Sequence, residues 1–234
     1  MAKIYSYLVF SLLALALVHS EQASTKQACK NSNFTLLGVK EMTEEVKQKL
    51  LDLHNSYREL VASGNGLGQQ PKAENMIELK WDDYAAQQAS SMVSQCEMQL
   101  RDVRNANGQP LGLNFRLQMS IDQEDVDKTF NNWVGLMVEK WYNESANYNY
   151  EKKYNSGTGR YTQLVWANTS TVGCAYSYFQ ERKYKNVGFL VCYYEPPSKM
   201  WEKPYIKGNV NCKAHGLIPS SNVKYKHLCI KNGK

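Results

Sequence analysis

The chain has 234 residues, of which 28 are Lys or Arg and 22 are Asp or Glu, so its formal net charge is +6 at pH 7. This length suits one domain of ordinary size with its own core. The positive charge is mild and is not gathered into a Lys/Arg-rich run, which argues against a dedicated nucleic-acid-binding protein.

The N-terminal segment is typical of a secretory signal peptide. Lys3 precedes an apolar run from Leu8 to Val18, and small residues suited to cleavage follow up to Ser20. The run is too short to span a bilayer, and no later stretch is apolar enough to do so. We therefore expect residues 1–20 to be a cleaved signal peptide and the mature protein to be extracellular.

Six cysteines follow this segment. An even number of cysteines in a secreted chain indicates three disulfides, and their spacing leaves the pairing open. No C-x-x-C motif occurs, so neither a zinc ribbon nor a thioredoxin-type site is indicated. N-x-S/T motifs begin at Asn33, Asn143 and Asn168, and each is a candidate glycosylation site.

The first half of the chain has the periodicity of helices. Residues 21–42 are expected to form an irregular arm. Thr43 is a candidate N-cap for a first helix, in which apolar residues recur at helical spacing up to a predicted end at Gly64. Asp82 is a candidate N-cap for a second helix that reaches about Cys96.

The second half changes from helical to strand patterns. A loop is expected up to Gly112, followed by a third helix over residues 124–146 and a short helical piece over residues 161–166. Residues 172–179 and 187–194 are β-branched and aromatic, which indicates an antiparallel hairpin. Helices followed by strands indicate an α+β layered domain, with a short polar extension that carries the last two cysteines.

Four segments of the chain resemble motifs of the CAP superfamily, which includes cysteine-rich secretory proteins, antigen 5 and pathogenesis-related type 1 proteins. They read LHNSYR over 53–58, NMIELKWD over 75–82, GRYTQLVWANT over 159–169 and LVCYYEPP over 190–197, in the family's order. The third differs from the family's G-H-Y-T-Q-L-V-W signature at one position. Residues 95–103 and 225–229 look most like arthropod antigen 5 proteins of venom and saliva.

The resemblance implies a three-layer α-β-α sandwich over residues 21–196 and a C-terminal extension over residues 197–234. It also implies the disulfides Cys29–Cys96, Cys174–Cys192 and Cys212–Cys229, the last of which staples the extension.

The resemblance further implies a central cleft with two His and two Glu, in which the His pair can hold a divalent metal. His54 matches the first His and Glu144 the second Glu, whereas Leu113 replaces the first Glu and Arg160 the second His. A guanidinium has no lone pair for a metal, and zinc normally takes three or four protein ligands. We therefore expect no metal and no cofactor, and we expect Arg160 to pair with Glu144.

Two interpretations of His54 stay open. It is either a hydrogen-bonded structural histidine, or it joins Arg160 in favouring an anionic head group, with Leu113 as an apolar wall.

Hydrolysis is not supported by the sequence. No G-x-S-x-G or other nucleophile motif occurs, and Thr162 beside the cleft is better explained as a residue at the start of a helix. We therefore expect a protein that is not an enzyme.

Two hypotheses of function remain. The resemblance implies a carrier of sterols, fatty acids or eicosanoids. The ligand would lie either along the aromatic strands of residues 176–189 or in a groove beside the first helix, bordered by Leu50, Leu53, Tyr57, Tyr161 and Leu164.

The alternative hypothesis is a toxin-like protein that binds an ion channel or host receptor through its surface. The basic residues Arg182, Lys183 and Lys185 at the hairpin tip are candidates for that contact. In either case we expect a monomer with no nucleic-acid partner and no transmembrane segment.

Overall fold

The computed structural model describes residues 29–30, 33–96, 98, 102–152, 156–181 and 185–232. The predicted signal peptide and the basic residues Arg182 and Lys183 therefore lie outside the described residues. Within the described part, no helix has the length and apolar character needed to cross a membrane.

The middle layer is a mixed sheet. Among the described residues its strands are β1 (Phe34–Val39), β2 (Lys80–Trp81), β3 (Gly112–Ser120), β4 (Thr171–Glu181) and β5 (Lys185–Glu195). Their order is β1-β4-β5-β3 with antiparallel neighbours, while β2 pairs parallel with the start of β4. The hairpin of β4 and β5 confirms the predicted hairpin and keeps an unbroken register from Thr171 opposite Glu195 to Glu181 opposite Lys185.

Helices cover both faces of this sheet. They are α1 (Glu44–Ser63), α2 (Asp83–Ser94), α3 (Val126–Tyr142) and α4 (Gly159–Leu164), with 3₁₀ turns at Leu67–Gln69, Asn143–Asn147 and Cys212–His215. On β4, Tyr176 and Tyr178 join the core under α1, α3 and α4, whereas Ala175 and Phe179 join the core under α2. Alternate strand residues point to opposite faces, so these two cores give the predicted three-layer α-β-α sandwich.

The predicted helix starts are confirmed by their caps. Thr43 Oγ1 accepts a hydrogen bond from Val46 N at 3.4 Å, and Asp82 Oδ1 accepts one from Ala85 N at 2.9 Å. The first helix ends at Gly64, whose φ of 82° is left-handed and therefore favours glycine.

Three predictions of secondary structure were wrong. The arm of residues 21–42 contains β1, the loop region continues into the strand β3, and the third helix ends at Tyr142 with a 3₁₀ turn after it. Both missed strands gain their hydrogen bonds from partners that are distant in sequence, β1 from β4 and β3 from β5. Strands therefore alternate with helices along the chain instead of following them.

Three disulfides join the pairs that the resemblance implied: Cys29–Cys96, Cys174–Cys192 and Cys212–Cys229. The second pair lies directly opposite in the ladder of β4 and β5.

The C-terminal segment packs into the main core, although its sequence is polar. Tyr205, Tyr225 and Leu228 are buried in the core that also contains α1 and α3. This segment forms a small sheet from β6 (Leu217–Pro219) and β7 (Cys229–Lys231).

Hydrogen bonds hold this segment against two other parts of the chain. Cys229 N donates to Met76 O and Glu78 N donates to Cys229 O, each at 2.7 Å. Tyr225 Oη donates to Asp52 of α1 at 2.7 Å. The extension is therefore attached to the loop before β2 and to the outer side of α1.

Candidate functional site

Arg58 fixes the first helix to the signature segment. Its buried guanidinium donates to backbone carbonyls at 2.6–3.3 Å, and the acceptors belong to Ile77, Leu164, Trp166, Ala167 and Thr169. Burial lowers the pKa of Arg58 to about 9, so the side chain stays charged at neutral pH. The C-terminal end of α4 is thereby positioned by α1.

Glu144 holds the other end of α4. Its Oε2 accepts from the backbone N–H groups of Arg160 and Tyr161 at 3.0 and 3.1 Å, and its Oε1 accepts from Arg160 Nε at 2.6 Å. The predicted pair of Arg160 and Glu144 is thus present. The side chain of Thr158, at the N-cap position, makes no capping bond, so Glu144 supplies the carboxylate that the helix start needs.

A cleft of about 460 Å³ opens beside this pair, between β3 and the start of α4. It is lined by Leu111, Gly112, Leu113, Asn114, Phe115, Gly157, Gly159, Arg160, Gln163, Pro197 and Ser198. The side chains of Leu111, Leu113 and Phe115 also pack partly against the core under α2. The cleft therefore has β3 on one side and a cation of α4 on the other, while the side chains of Leu113 and Phe115 turn towards α2 on the opposite face of the sheet.

Gln163 closes the inner side of the cleft. Its Oε1 accepts from Ser198 N at 2.8 Å, and its Nε2 donates to Thr169 Oγ1 at 3.2 Å. A Cβ on Gly112 would collide with Gln163 Oε1, so a larger residue at this position would displace the Gln163 amide from its place in the cleft. These hydrogen bonds join the segment of residues 159–169 to the chain directly after the segment of residues 190–197.

His54 does not line the cleft, so the interpretation in which it joins Arg160 in binding an anionic head group has no support from its position. It is fully buried on the inner face of α1, with Nδ1 2.7 Å from Leu50 O and Nε2 2.8 Å from Tyr194 Oη. The carbonyl can only accept, so Nδ1 carries the proton and Nε2 accepts from the tyrosine. Asn114 Nδ2 links Tyr194 Oη, at 3.4 Å, to Arg160 O, at 3.0 Å.

Burial lowers the pKa of His54 to about 4, which leaves the imidazole neutral at neutral pH. These hydrogen bonds support the interpretation of a structural histidine behind the cleft.

The side chains at the cleft do not fit a metal ion. Arg160 has no free lone pair, and Glu144 already accepts three hydrogen bonds. Over the described ranges, the His/Cys/Asp/Glu group with suitably close donor atoms is His54 with Cys174 and Cys192. The two sulfurs form a disulfide, so that group offers no thiolate ligand.

The residues suggested to border a groove between α1 and α4 do not line one groove together. Leu50, Tyr161 and Leu164 are fully buried because they fill the core between α1, α3, α4 and the sheet. Leu53 and Tyr57 lie on the adjacent stripe of α1 and line a different groove, of about 710 Å³, on the outer side of that helix.

The aromatic strand residues do not form a ligand site either. Tyr176, Tyr178, Phe179 and Phe189 are all buried in the two cores, and Tyr184 lies outside the described residues.

The candidate glycosylation sites differ in exposure. Asn33 and Asn168 are exposed, whereas Asn143 is half-buried at the end of α3. Glycosylation of each stays a prediction.

Several residues that build the cleft were not singled out from the sequence. They are Arg58, Gln163 and Tyr194, which lie in the segments where the family motifs were found, and Asn114, which follows Leu113. The signal available was their polarity within otherwise apolar motifs, because buried polar groups need hydrogen-bond partners.

Comparisons with known proteins agree with this fold. The chain matches the family model described as "CAP: Cysteine-rich secretory protein family" over residues 51–194. It is 44% identical over 237 residues to a salivary antigen-5 of Dipetalogaster maximus, covering 100% of this chain and 93% of that protein. It is 41% identical over 248 residues to a salivary antigen-5 of Triatoma infestans, covering 100% and 99%.

Among solved structures, a crystal structure of NaASP2 with Zn²⁺ has a TM-score of 0.59 and 27% identity to this chain, covering 86% of this chain and 100% of that one. The chain therefore belongs to the CAP family of cysteine-rich secretory proteins and is similar along its whole length to antigen 5 proteins.

Proposed function

We propose that this antigen 5 protein is a secreted, non-enzymatic carrier of small hydrophobic ligands, which bind in the cleft between β3 and α4. The observation that carries the proposal is a cleft of about 460 Å³ whose lining includes the apolar residues Leu111, Leu113 and Phe115. This volume lies within the usual range for ligand pockets, and a few polar groups on the opposite wall would orient a ligand.

Several features of the chain support secretion. The N-terminal residues have the pattern of a signal peptide, and the disulfides suit an oxidising compartment. The two relatives described above are salivary proteins.

The side chains at the cleft support a binding role over catalysis. A hydrolase needs a nucleophile beside a positioned base. Among the described residues that line the cleft, Ser198 carries a hydroxyl, Asn114 and Gln163 carry amides and Arg160 carries a fixed charge, and none carries an imidazole or carboxylate that could act as a base. The neutral His54 lies behind Tyr194 and does not reach the cleft.

Native mass spectrometry of the protein secreted from eukaryotic cells tests this function. The protein is mixed with zinc and with a panel of sterols, fatty acids and eicosanoids. We expect a discrete lipid adduct and no stoichiometric zinc adduct. Stoichiometric zinc would contradict our account of the cleft, and the absence of every lipid adduct would contradict the carrier function.

A matched pair of variants locates the site. Leu113→Gln in the cleft and Leu53→Gln in the groove outside α1 each replace a half-buried leucine. We expect Leu113→Gln to weaken binding about tenfold, because it removes apolar contact, and Leu53→Gln to leave it unchanged. The opposite pattern would place the ligand on α1, provided that both variants melt near the wild-type temperature.

A second candidate function is recognition of a host receptor or ion channel by the protein surface. Met200 and Trp201 are adjacent and 68% and 65% exposed, and large exposed apolar side chains are frequent at the centres of protein interfaces. Surface recognition is the better-supported function if the wild-type protein binds no lipid in native mass spectrometry.

A further inference from the structure

Residues 199–207 form an exposed segment that two buried residues hold in place. Pro204 and Tyr205 are buried, whereas the side chains on both sides of them are exposed. Pro204 O accepts a hydrogen bond from Ala167 N at 2.7 Å, and Tyr205 O accepts one from Tyr150 Oη at 2.7 Å. The exposed side chains are therefore carried by a backbone that is attached to the core.

Three large apolar side chains of this segment are exposed to solvent. Met200, Trp201 and Ile206 are 68%, 65% and 47% exposed. Because all three belong to one short segment, they lie within reach of a single partner surface, and a group of exposed apolar side chains indicates a binding surface. Tryptophan is enriched where proteins meet the head groups of a membrane, since its ring is apolar and its N–H is polar.

Lysines surround these apolar side chains. Lys199, Lys203 and Lys207 belong to the segment, which has one acidic residue, Glu202. Lys203 and Lys207 share the carboxylate of Glu151, each with an Nζ–Oε distance of 3.4 Å. The segment and its acidic neighbour therefore keep an excess of positive charge.

Two further lysines extend this positive surface. Lys72 O accepts a hydrogen bond from Gly208 N at 3.0 Å, and Lys152 directly follows Glu151 in the chain. Both lysine side chains are exposed, and neither forms an ion pair with a residue that the structure describes. Exposed apolar side chains among surplus lysines are typical of segments that lie in the interface of an anionic membrane.

We propose that residues 199–207 bind the surface of membranes that contain anionic lipids. Met200, Trp201 and Ile206 enter the boundary between head groups and acyl chains, and the lysines lie among the anionic head groups. A sulfated polysaccharide would use the same lysines but would leave the three apolar side chains in water, so these side chains favour a membrane. The inference does not involve the cleft and goes beyond the carrier function.

Cosedimentation of the secreted protein with lipid vesicles tests this inference. The vesicles contain phosphatidylcholine alone, or phosphatidylcholine and phosphatidylserine at about three to one. At physiological ionic strength, we expect the wild-type protein to bind the mixed vesicles about tenfold more tightly than the neutral ones, because the lysines attract anionic head groups.

Two double variants separate the apolar and the charged contributions. Met200→Ser with Trp201→Ser should weaken binding to the mixed vesicles by about tenfold, because it removes the apolar side chains that enter the interface. Lys203→Gln with Lys207→Gln should remove most of the preference for mixed over neutral vesicles.

Matched controls come from exposed residues outside the segment. Met119 and Ile121 are 52% and 84% exposed, and they lie at the end of β3 that pairs with the hairpin tip. Lys185 and Lys226 are exposed and form no ion pair within the described part of the chain. Met119→Ser with Ile121→Ser, and Lys185→Gln with Lys226→Gln, should bind the mixed vesicles as the wild-type protein does.

The inference is overturned if the wild-type protein binds neither kind of vesicle, and Met200 and Trp201 are then left to a protein partner. It is also overturned if a control variant loses as much binding as its counterpart in the segment, since any positive or apolar surface would then suffice. Leu113→Gln should bind vesicles as tightly as the wild-type protein. The carrier function, which is tested without vesicles, can therefore fail while membrane binding stands, and the reverse.

Discussion

His54 illustrates how one side chain acquires its role from the face of the helix it occupies. It lies on α1 in the same buried stripe as Leu50 and Arg58, four residues before and after it. Both of its ring nitrogens are engaged, by Leu50 O and by Tyr194 Oη. Its neutral form is therefore built into the packing between α1 and the sheet.

This burial predicts a loss of stability on acidification. The unfolded chain takes up a proton at His54 near its ordinary pKa of 6.5, whereas the folded protein resists protonation until about pH 4. The contribution of neutral His54 to the free energy of unfolding is therefore complete above pH 6.5. It is lost as the pH falls towards 4, by up to about 3 kcal/mol. Urea unfolding over this pH range measures it.

The variant His54→Gln removes the titration. Its free energy of unfolding should fall less steeply than that of the wild-type protein between pH 6.5 and 4, and the two should run parallel above that range. An unchanged slope in the variant would show that His54 titrates normally in the folded state.

At the level of single residues, the sequence predicted Arg160 and Glu144 better than His54. A cation that replaces a metal ligand beside a carboxylate has an evident partner, and the ion pair is present at 2.6 Å. The segment LHNSYR, by contrast, fits a cleft histidine and a core histidine equally well. Only the packing of α1 against Tyr194 distinguishes the two.

Among the elements, α4 depends most on its neighbours. A helix of six residues is too short to be stable alone, and its N-cap side chain makes no capping bond. Glu144 accepts hydrogen bonds from the N–H groups at its start, and Arg58 Nη1 donates to Leu164 O at its end. The position of Arg160 in the cleft follows from these two attachments.

This predicts unequal effects of removing the two partners of the ion pair. Glu144→Gln should lower the free energy of unfolding by about 2 kcal/mol, because the carboxylate also caps α4. Arg160→Gln should lower it by less than about 1 kcal/mol, because the arginine is 42% exposed and Glu144 keeps its backbone donors. Equal losses in chemical denaturation would contradict the capping role of Glu144.

The strand β3 shows why the cleft could be predicted only in part. The motifs indicated Arg160 and Glu144, but the other side of the cleft belongs to β3, where the sequence pattern predicted the end of a loop. Its residues GLNFRLQMS mix polar and apolar side chains, and the strand is recognisable through its long register with β5. Pairing between segments about seventy residues apart is set by tertiary packing and not by local propensity.

At the scale of the whole molecule, the C-terminal segment completes the core. Its polar composition predicted a separate extension, yet Tyr225 and Leu228 fill space beside α1. The disulfide Cys212–Cys229 closes a short loop around these two residues, with a sequence separation of 17. The disulfide therefore limits the number of conformations that the C-terminal segment can adopt when the segment is detached from the core.

Replacing both cysteines, by Cys212→Ala and Cys229→Ala, should cost about 3 kcal/mol of stability. Hydrogen exchange should then become faster at the backbone amides of positions 78 and 229, which bond across the attachment. The variant Cys29→Ala with Cys96→Ala is the control and should leave these two amides protected. Unchanged exchange in the first variant would show that the segment stays attached without its disulfide.

The attachment of the C-terminal segment also determines what an antibody meets on this side of the protein. Asp52 and Glu59 of α1 contact Lys224 and His227, residues that are far away in sequence. Part of this patch is solvent-exposed, since the side chains of Lys224 and His227 are 53% and 47% accessible. An antibody raised against this patch would recognise a discontinuous epitope, which exists only while the two segments are together and which no linear peptide from either segment would reproduce.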